Sequence, residues 1–404
     1  MLTLDVKPDR SVGCTEWEFI VGMHFSQAVA IIQSQVGIMK GVHVLYNHDE
    51  ALDVDIVIEL PQDGIRLYFD PISQRLKIID IYIMKNVKLK YCSLFFNSPE
   101  VLPTLEQIEH SFGATLPGEY DAEKQLYVMN FRGVAFHFPV VSKFQTGNNH
   151  ELGSLQFPSG CTPVASRMLV YIGNGICSKS APEMPLECYY GHIYLKSAVI
   201  IRGPHHTKGV KVKLMAATNH RTNPTQIMFE KQILLGDSTQ DIASALGCPS
   251  KVFYKSDDKM QIHTANKSSI ENPQKSDYFF NYFTLGMDVL FDARTHLVKK
   301  LVLHTNYPGH YNFNMYMRCE FSLRLNNTDV NAYSRWDDLK KHFAHIQRPI
   351  VLHRSGSTNT TNPFGGTQCY GYEDIIFEIM PNDFIASLSI FGNGSPYKMT
   401  QQLA

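Results

Sequence analysis

No stretch of this chain approaches the roughly 18 uninterrupted apolar residues that a membrane-spanning helix needs. Its first ten residues, MLTLDVKPDR, put charged side chains where a secretory leader needs an apolar run. No Cys-x-x-Cys pair occurs, which removes the usual zinc knuckle and the redox dithiol. The eight cysteines (Cys14, Cys92, Cys161, Cys177, Cys188, Cys248, Cys319, Cys369) are scattered, a spread that suits reduced thiols in the cytosol rather than a disulfide framework. The sequons at Asn266, Asn326, Asn359 and Asn393 are accordingly read as unused. Charge of neither sign dominates: 37 Lys and Arg stand against 38 Asp and Glu, so an anionic partner would have to meet a local patch, and nucleic acid is not expected. Gly-x-Ser-x-Gly elbows, Walker loops, His-Glu-x-x-His and kinase signatures are all missing, and GNGICS from Gly173 lacks the third glycine of a phosphate loop.

What remains is a 404-residue chain, 44% hydrophobic and 19% charged, long enough for two or three domains. Compared with itself, it yields a recurring unit. GIRLYFDPISQRLKIIDI from Gly64 aligns without gaps on GMDVLFDARTHLVKKLVL from Gly286, matching Phe69-Asp70 with Phe291-Asp292 and Ile79 and Ile81 with Leu301 and Leu303. Both read as hairpins with one apolar face. Upstream of each lies a helix signal. In FSQAVAIIQSQ, Ser26 suits the cap; in STQDIASALG the cap is Ser238 or Thr239, and Gly247 is the stop. Weaker echoes, PTLEQIEHSFG with LYVMNFRGVAFHFPV and SRWDDLKKHF with GYEDIIFEIMPNDFIASLSIFG, make four units in two pairs.

The expected fold class is α+β: antiparallel sheets each covered by helices, built from pseudo-repeated helix and strand-pair units, with a β-rich central insertion. The expected domains are a first pair of units over residues 1–140, a β-rich domain over 141–232, and a second pair over 233–404. The middle segment earns its separate place by runs such as RMLVYIG, CYYGHIYLKSAVII and GVKVKLMAA, which carry almost no helical periodicity.

The densest chemistry lies in LHTNYPGHYNFNMY, Leu303 to Tyr316, at the exit of the third hairpin. Pro308-Gly309 is the sequence of a type II turn. His304 and His310 stand six apart with Cys319 as a distant third, which fits no metal-ligand spacing, and no nucleophile or paired carboxylate stands beside them. Asn306, Tyr307, Pro308, Gly309, His310 and Tyr311 are therefore read as an ordered loop and a candidate partner surface; the competing reading is a hydrolase or metal enzyme using His304 and His310. Two binding signals stand apart. Arg202, His205, His206, Lys208, Lys211 and Lys213 form a basic strand and turn that would attract anionic lipid at about 1 kcal/mol per basic residue. The alternative is that these lysines guard a sheet edge. Asn362-Pro363-Phe364 resembles the peptides taken by EH domains of membrane-traffic adaptors, its alternative being a simple Asn-Pro turn. His342 and His345 share a helix face that reads as solvated surface.

The stretches WEF at Trp17, QDGIRLYFD, QRLKIIDI, VKLKYC, FGATLPGEY, SKVFYKSDDKMQIH, DYFFNYFTLGMDVLFDA, KLVLHTNYPGHYNFNMYMRCEF and LHRSGSTNTTNPFGGT together resemble the phagosome assembly factor family. The resemblance spans essentially the whole chain and is weakest over 141–232. It implies a non-enzymatic cytosolic protein of autophagy that partners a WD-repeat β-propeller protein and associates with the forming autophagosome at the phagophore. An older implication is Golgi to plasma membrane transport. Phosphoinositide recognition is implied for the propeller partner, and no catalytic residue, cofactor, metal or small-molecule substrate carries over.

Overall fold

A computed structural model describes residues 1–115, 118–121, 123–140, 162–175, 180–189, 191–204, 206–218, 225–255, 276–325, 327–343, 346, 348–352 and 365–392. The chain divides into two compact units, Met1–Cys188 and Tyr189–Ala404. In the first, β1 (Leu2–Lys7), β2 (Ser11–Gly13) and β3 (Glu18–Ile20) lead into helix α1 (Phe25–Ser34). A meander follows: β4 (His43–Leu45), β5 (Ile56–Leu60), β6 (Ile65–Phe69) and β7 (Leu76–Ile81). Then come β8 (Val87–Tyr91), β9 (Leu94–Asn97), α2 (Leu105–Phe112), and a second meander of β10 (Glu119–Asp121), β11 (Leu126–Phe131), β12 (Val134–Pro139) and β13 (Arg167–Val170).

The second unit opens with β14 (Tyr194–Arg202), β15 (Thr207–Ala217), β16 (Gln226–Leu234) and α3 (Thr239–Leu246). Its first meander is β17 (Lys251–Tyr254), β18 (Tyr278–Tyr282), β19 (Met287–Phe291) and β20 (Val298–His304). After β21 (Phe321–Leu325), β22 (Thr328–Asn331) and the short α4 (Trp336–Leu339), it ends with β23 (Ile350–Leu352), β24 (Thr367–Tyr372), β25 (Ile375–Ile379) and β26 (Ile385–Phe391).

The sheets of the two units have matching strand orders. Five strands run β3-β2-β1-β8-β9 in the first and β16-β15-β14-β21-β22 in the second; eight run β10-β11-β12-β13-β7-β6-β5-β4 and β23-β24-β25-β26-β20-β19-β18-β17. The only parallel pairs among these strands, β1 with β8 and β14 with β21, fall at the same place. So the class is α+β and dominated by antiparallel sheet, with four short helices among the described residues. Among the described residues each helix is followed by four strands rather than a connector and a strand pair; after α1, α3 and α4 the connector itself forms the outer two.

The division between the two units, at Cys188 and Tyr189, falls inside the strand-rich segment 141–232. Among its described residues, β13 is hydrogen-bonded between β12 and β7, whereas β14 to β16 form a sheet with β21 and β22. The strand-rich composition was read correctly as strand, but strands are completed by partners far along the chain, which composition does not name.

Local chemistry explains the elements. His24, not Ser26, caps α1: its ring accepts from the Ser26 N–H, and the Gln27 side chain answers the His24 N–H at 3.0 Å. Ser238 and Asp241 build the equivalent capping box on α3, and Gly247 closes that helix at φ +78°. Ile242 and Leu246 of α3 and Trp336 and Leu339 of α4 enter the same core cluster as Val212 and Leu301, and each fully buried aliphatic chain contributes about 1.5–3 kcal/mol. Gly64 and Gly286 open their hairpins at φ +70° and +64°; a Cβ at either would lie 2.5 Å from Ile83 or 2.3 Å from the Met317 carbonyl, so only glycine lets the exiting chain pass.

The Phe-Asp match is a turn device. Oδ1 of Asp70 accepts from the N–H groups of Ile72 and Ser73 at 2.9 and 2.7 Å, and Oδ1 of Asp292 accepts from Arg294 and Thr295 at 3.0 and 2.9 Å. Gln74 and His296, at φ +53° and +56°, hold the same left-handed position in each turn. Those backbone donors, with Lys299 adding, hold the Asp292 carboxyl well below the usual carboxylate range. A depressed folded-state pKa contributes stability above the unfolded value and loses it as pH falls through the folded one. Asp292→Asn is therefore expected to lower stability at neutral pH by about 1 kcal/mol, the scale of a cap in a solvent-screened turn. Urea unfolding of both proteins from pH 7 downward should show the gap closing below about pH 4; a gap independent of pH would contradict the assignment.

Candidate functional site

Direct cross-strand partners share a sheet face, and residues two apart along a strand do so as well. On the face of the second eight-stranded sheet opposite Leu301 and Leu303, this rule aligns Asn281 with Asp288 and runs His304, Ser387 and Glu378 across β20, β26 and β25. Polar residues inside apolar strands on a face away from the core need either water or partners. Here they have partners, because Thr305–Glu320, which contains the Tyr-Pro-Gly-His-Tyr turn, supplies Asn312, His310 and Tyr316 to them.

Asp288 accepts from Asn281 Nδ2 at 2.7 Å, from the Tyr316 hydroxyl at 2.8 Å and from His304 Nε2 at 2.8 Å. The His304 and Tyr316 rings stack with centroids 3.9 Å apart. The Asn312 amide bridges the two histidines: Nδ2 lies 3.4 Å from His304 Nδ1, and Oδ1 meets His310 Nδ1. That orientation makes His304 Nδ1 an acceptor and leaves its Nε2 as the donor to Asp288. His310 Nε2 faces Glu378 Oε1 at 3.4 Å, and Glu378 accepts from Thr367 at 2.8 Å and Ser387 at 2.7 Å. Burial and the Asp288 carboxylate push the Tyr316 hydroxyl far above its ordinary pKa, so it stays a donor.

The loop is anchored as well as threaded. Tyr307 is fully buried, stacks on Phe384 at 4.6 Å and donates to the Ala332 carbonyl at 2.9 Å; burial raises its pKa to about 12. The Arg318 guanidinium lies over the Tyr307 ring at 4.6 Å while its Nε donates to the Thr305 carbonyl at 2.8 Å. The turn has the expected form, with Gly309 at φ +87° and His310 N–H donating to Tyr307 O at 3.3 Å.

Of the six residues expected to face a partner, Asn306, Tyr307, Pro308, Gly309 and His310 are buried and only Tyr311 is exposed, at 42%. The turn faces inward because its histidine and tyrosine complete the polar chain beneath it. His304 and His310 do each meet a carboxylate, but every member of the chain is engaged by another, and no group of three or more metal-ligating side chains occurs among the described residues. Sequence reading missed Asp288, Asn312, Glu378 and Ser387. The usable signal was a carboxylate interrupting an apolar strand, as in GMDVLF and IIFEIM.

The first unit solves the same face differently. Its connection from β7 to β8 is only Tyr82–Asn86, too short to cover the sheet, and the face carries ion pairs. Arg66 bonds Glu59 at 2.8 Å and lies 4.1 Å over the Tyr82 ring, while Arg167 grips Asp80 at 2.7 and 2.8 Å.

The basic stretch is not an edge. β15, which holds Lys208, Lys211 and Lys213, is paired on both sides, so its lysines guard no edge either. Arg202 is bound by Glu373 and Asp374, and Lys211 by Glu230 at 2.7 Å. His206 is half-buried, and His205 and Asn362-Pro363-Phe364 lie outside the described residues.

Fold and cluster together define a two-unit, sheet-dominated α+β protein whose polar interior holds one long loop in place. The family described as phagosome assembly factor 1 matches residues 15–391. A PHAF1 protein of Drosophila melanogaster is 52% identical, the match covering 98% of this chain and 95% of that one. PHAF1 proteins of Caenorhabditis elegans and Arabidopsis thaliana are 34% and 33% identical over 96% of this chain and 93% and 92% of theirs. The chain belongs to this family. No solved structure matches it.

If the polar chain holds the loop, Asn312→Ala removes the bridge between two buried rings and is expected to cost about 2–4 kcal/mol. Tyr311→Ser, at the exposed end, is expected to change stability by less than about 0.5 kcal/mol. Denaturant unfolding of both variants distinguishes this from a loop that merely rests on the surface, for which the two changes would be alike.

Proposed function

We propose that the chain is a non-enzymatic adaptor of autophagy, built from pseudo-repeated units, that works in complex with a WD-repeat β-propeller protein where the autophagosome forms. The observation carrying this reading is the family match over residues 15–391, a family named for assembling phagosomes. The site geometry supports it: the two histidines and their carboxylates bond to one another beneath a packed loop, an arrangement suited to rigidity. The protein is cytoplasmic and reaches the phagophore through its partner. Direct lipid binding is the weaker reading, because Arg202 and Lys211 already have acidic partners.

Tagged protein recovered from starved cells is expected to carry a WD-repeat β-propeller protein in comparable amount and to collect at forming autophagosomes. Recovery of folded protein with no propeller protein would overturn the partner reading. In flotation with anionic vesicles, the purified chain alone is expected to stay in the unbound fraction. Flotation abolished by Lys208→Glu with Lys213→Glu would instead assign lipid contact to this chain.

A further inference from the structure

An in-register aliphatic row crosses the first eight-stranded sheet: Val134, Val170, Ile79, Leu67, Ile58 and Val44 are successive cross-strand partners. The first five are fully buried, and Val44, on the outermost strand β4, is 41% exposed. Around it Val42, Leu45 and Tyr46 are 39%, 48% and 37% exposed, and Val36 and Ile38 just before them 70% and 53%. The core row thus runs out of the sheet at an edge whose backbone has no partner strand on its outer side among the described residues. A lipid surface is a poor occupant, since open N–H and C=O groups cannot be satisfied in hydrocarbon. An added strand satisfies them and covers the side chains together.

We propose that this occupant is a second copy of the chain, with β4 pairing antiparallel to itself about a two-fold axis through Val44. In that register Val44 faces Val44 of the second copy, Val42 faces Tyr46, and His43 faces Leu45. No like charges are opposed, because Val42–Tyr46 contains no Lys, Arg, Asp or Glu. The aliphatic row then continues unbroken from one sheet into the other. The corresponding edge of the second unit does not offer this. Val252 of β17 ends an equivalent row at 41% exposure, but Lys251 stands beside it and Lys255 follows, basic residues that guard an edge.

Sedimentation velocity on the full-length protein across a concentration series tests this. Wild type is expected to show a reversible monomer–dimer equilibrium, weakened at least about tenfold by Val44→Lys and unchanged by Val252→Lys. Thermal unfolding should show both variants folded, as both sites are exposed. Val44→Cys supplies an independent reading: facing strand positions lie within disulfide reach, so mild oxidation should give a crosslinked dimer absent from wild type and from Val252→Cys. A wild type that stays monomeric overturns the proposal and leaves the edge to a strand of another protein. So does a dimer that Val44→Lys leaves intact.

Discussion

Little water reaches the polar side chains of the second eight-stranded sheet that Thr305–Glu320 covers, and they bond to one another instead. That constraint organises the region. Asp288 and Glu378 would be expensive inside strands, yet Asp288 accepts from three donors and Glu378 from two hydroxyls, and Asn312 joins the two sets through the imidazoles of His304 and His310. A single amide, its Nδ2 turned to His304 and its Oδ1 to His310, holds the loop to both rings. Tyr307 and Arg318 secure its two ends, by ring stacking, a cation over the Tyr307 ring and hydrogen bonds to backbone carbonyls.

The first unit shows the other solution to the same architectural problem. Its short β7–β8 connection leaves the face half-open, and there the strands carry Glu59–Arg66 and Asp80–Arg167 pairs, whose outer edges retain some access to solvent. In the first unit an arginine that reaches solvent neutralises the carboxylate; beneath the loop, amides, hydroxyls and imidazoles satisfy Asp288 and Glu378 instead. Two units with the same strand order therefore differ in surface chemistry because one connection is sixteen residues long and the other five.

Much of the fold was legible one segment at a time. The Phe-Asp correspondence located a real turn, since an Asp oxygen bonding two backbone N–H groups and a left-handed residue four positions on are both local requirements. Ser238 and Gly247 behave as the cap rules anticipate. His24 escaped because histidine is a rare cap, and its role depends on Gln27 answering it. The candidate site was legible in composition and illegible in direction: His, Tyr and Asn crowded into one loop read as a surface, when the deciding partners, Asp288 and Glu378, lie in strands up to 68 residues away from the histidines they meet. The basic stretch failed likewise, since a strand's neighbours, not its own residues, decide whether it is an edge.

Sequence alone determined what short-range physics determines: where strands alternate, where helices start and stop, which glycines must take positive φ, and which family the chain belongs to. Tertiary structure decided everything that depends on what arrives from elsewhere in the chain. It divided the strand-rich middle between two units, completing its strands from β7 and β21. It turned the aromatic loop inward and neutralised Arg202 with Glu373 and Asp374. The physical reason is the same in each case: a hydrogen bond or a charge is satisfied by proximity in space, and a β-sheet brings residues together without regard to their separation along the chain.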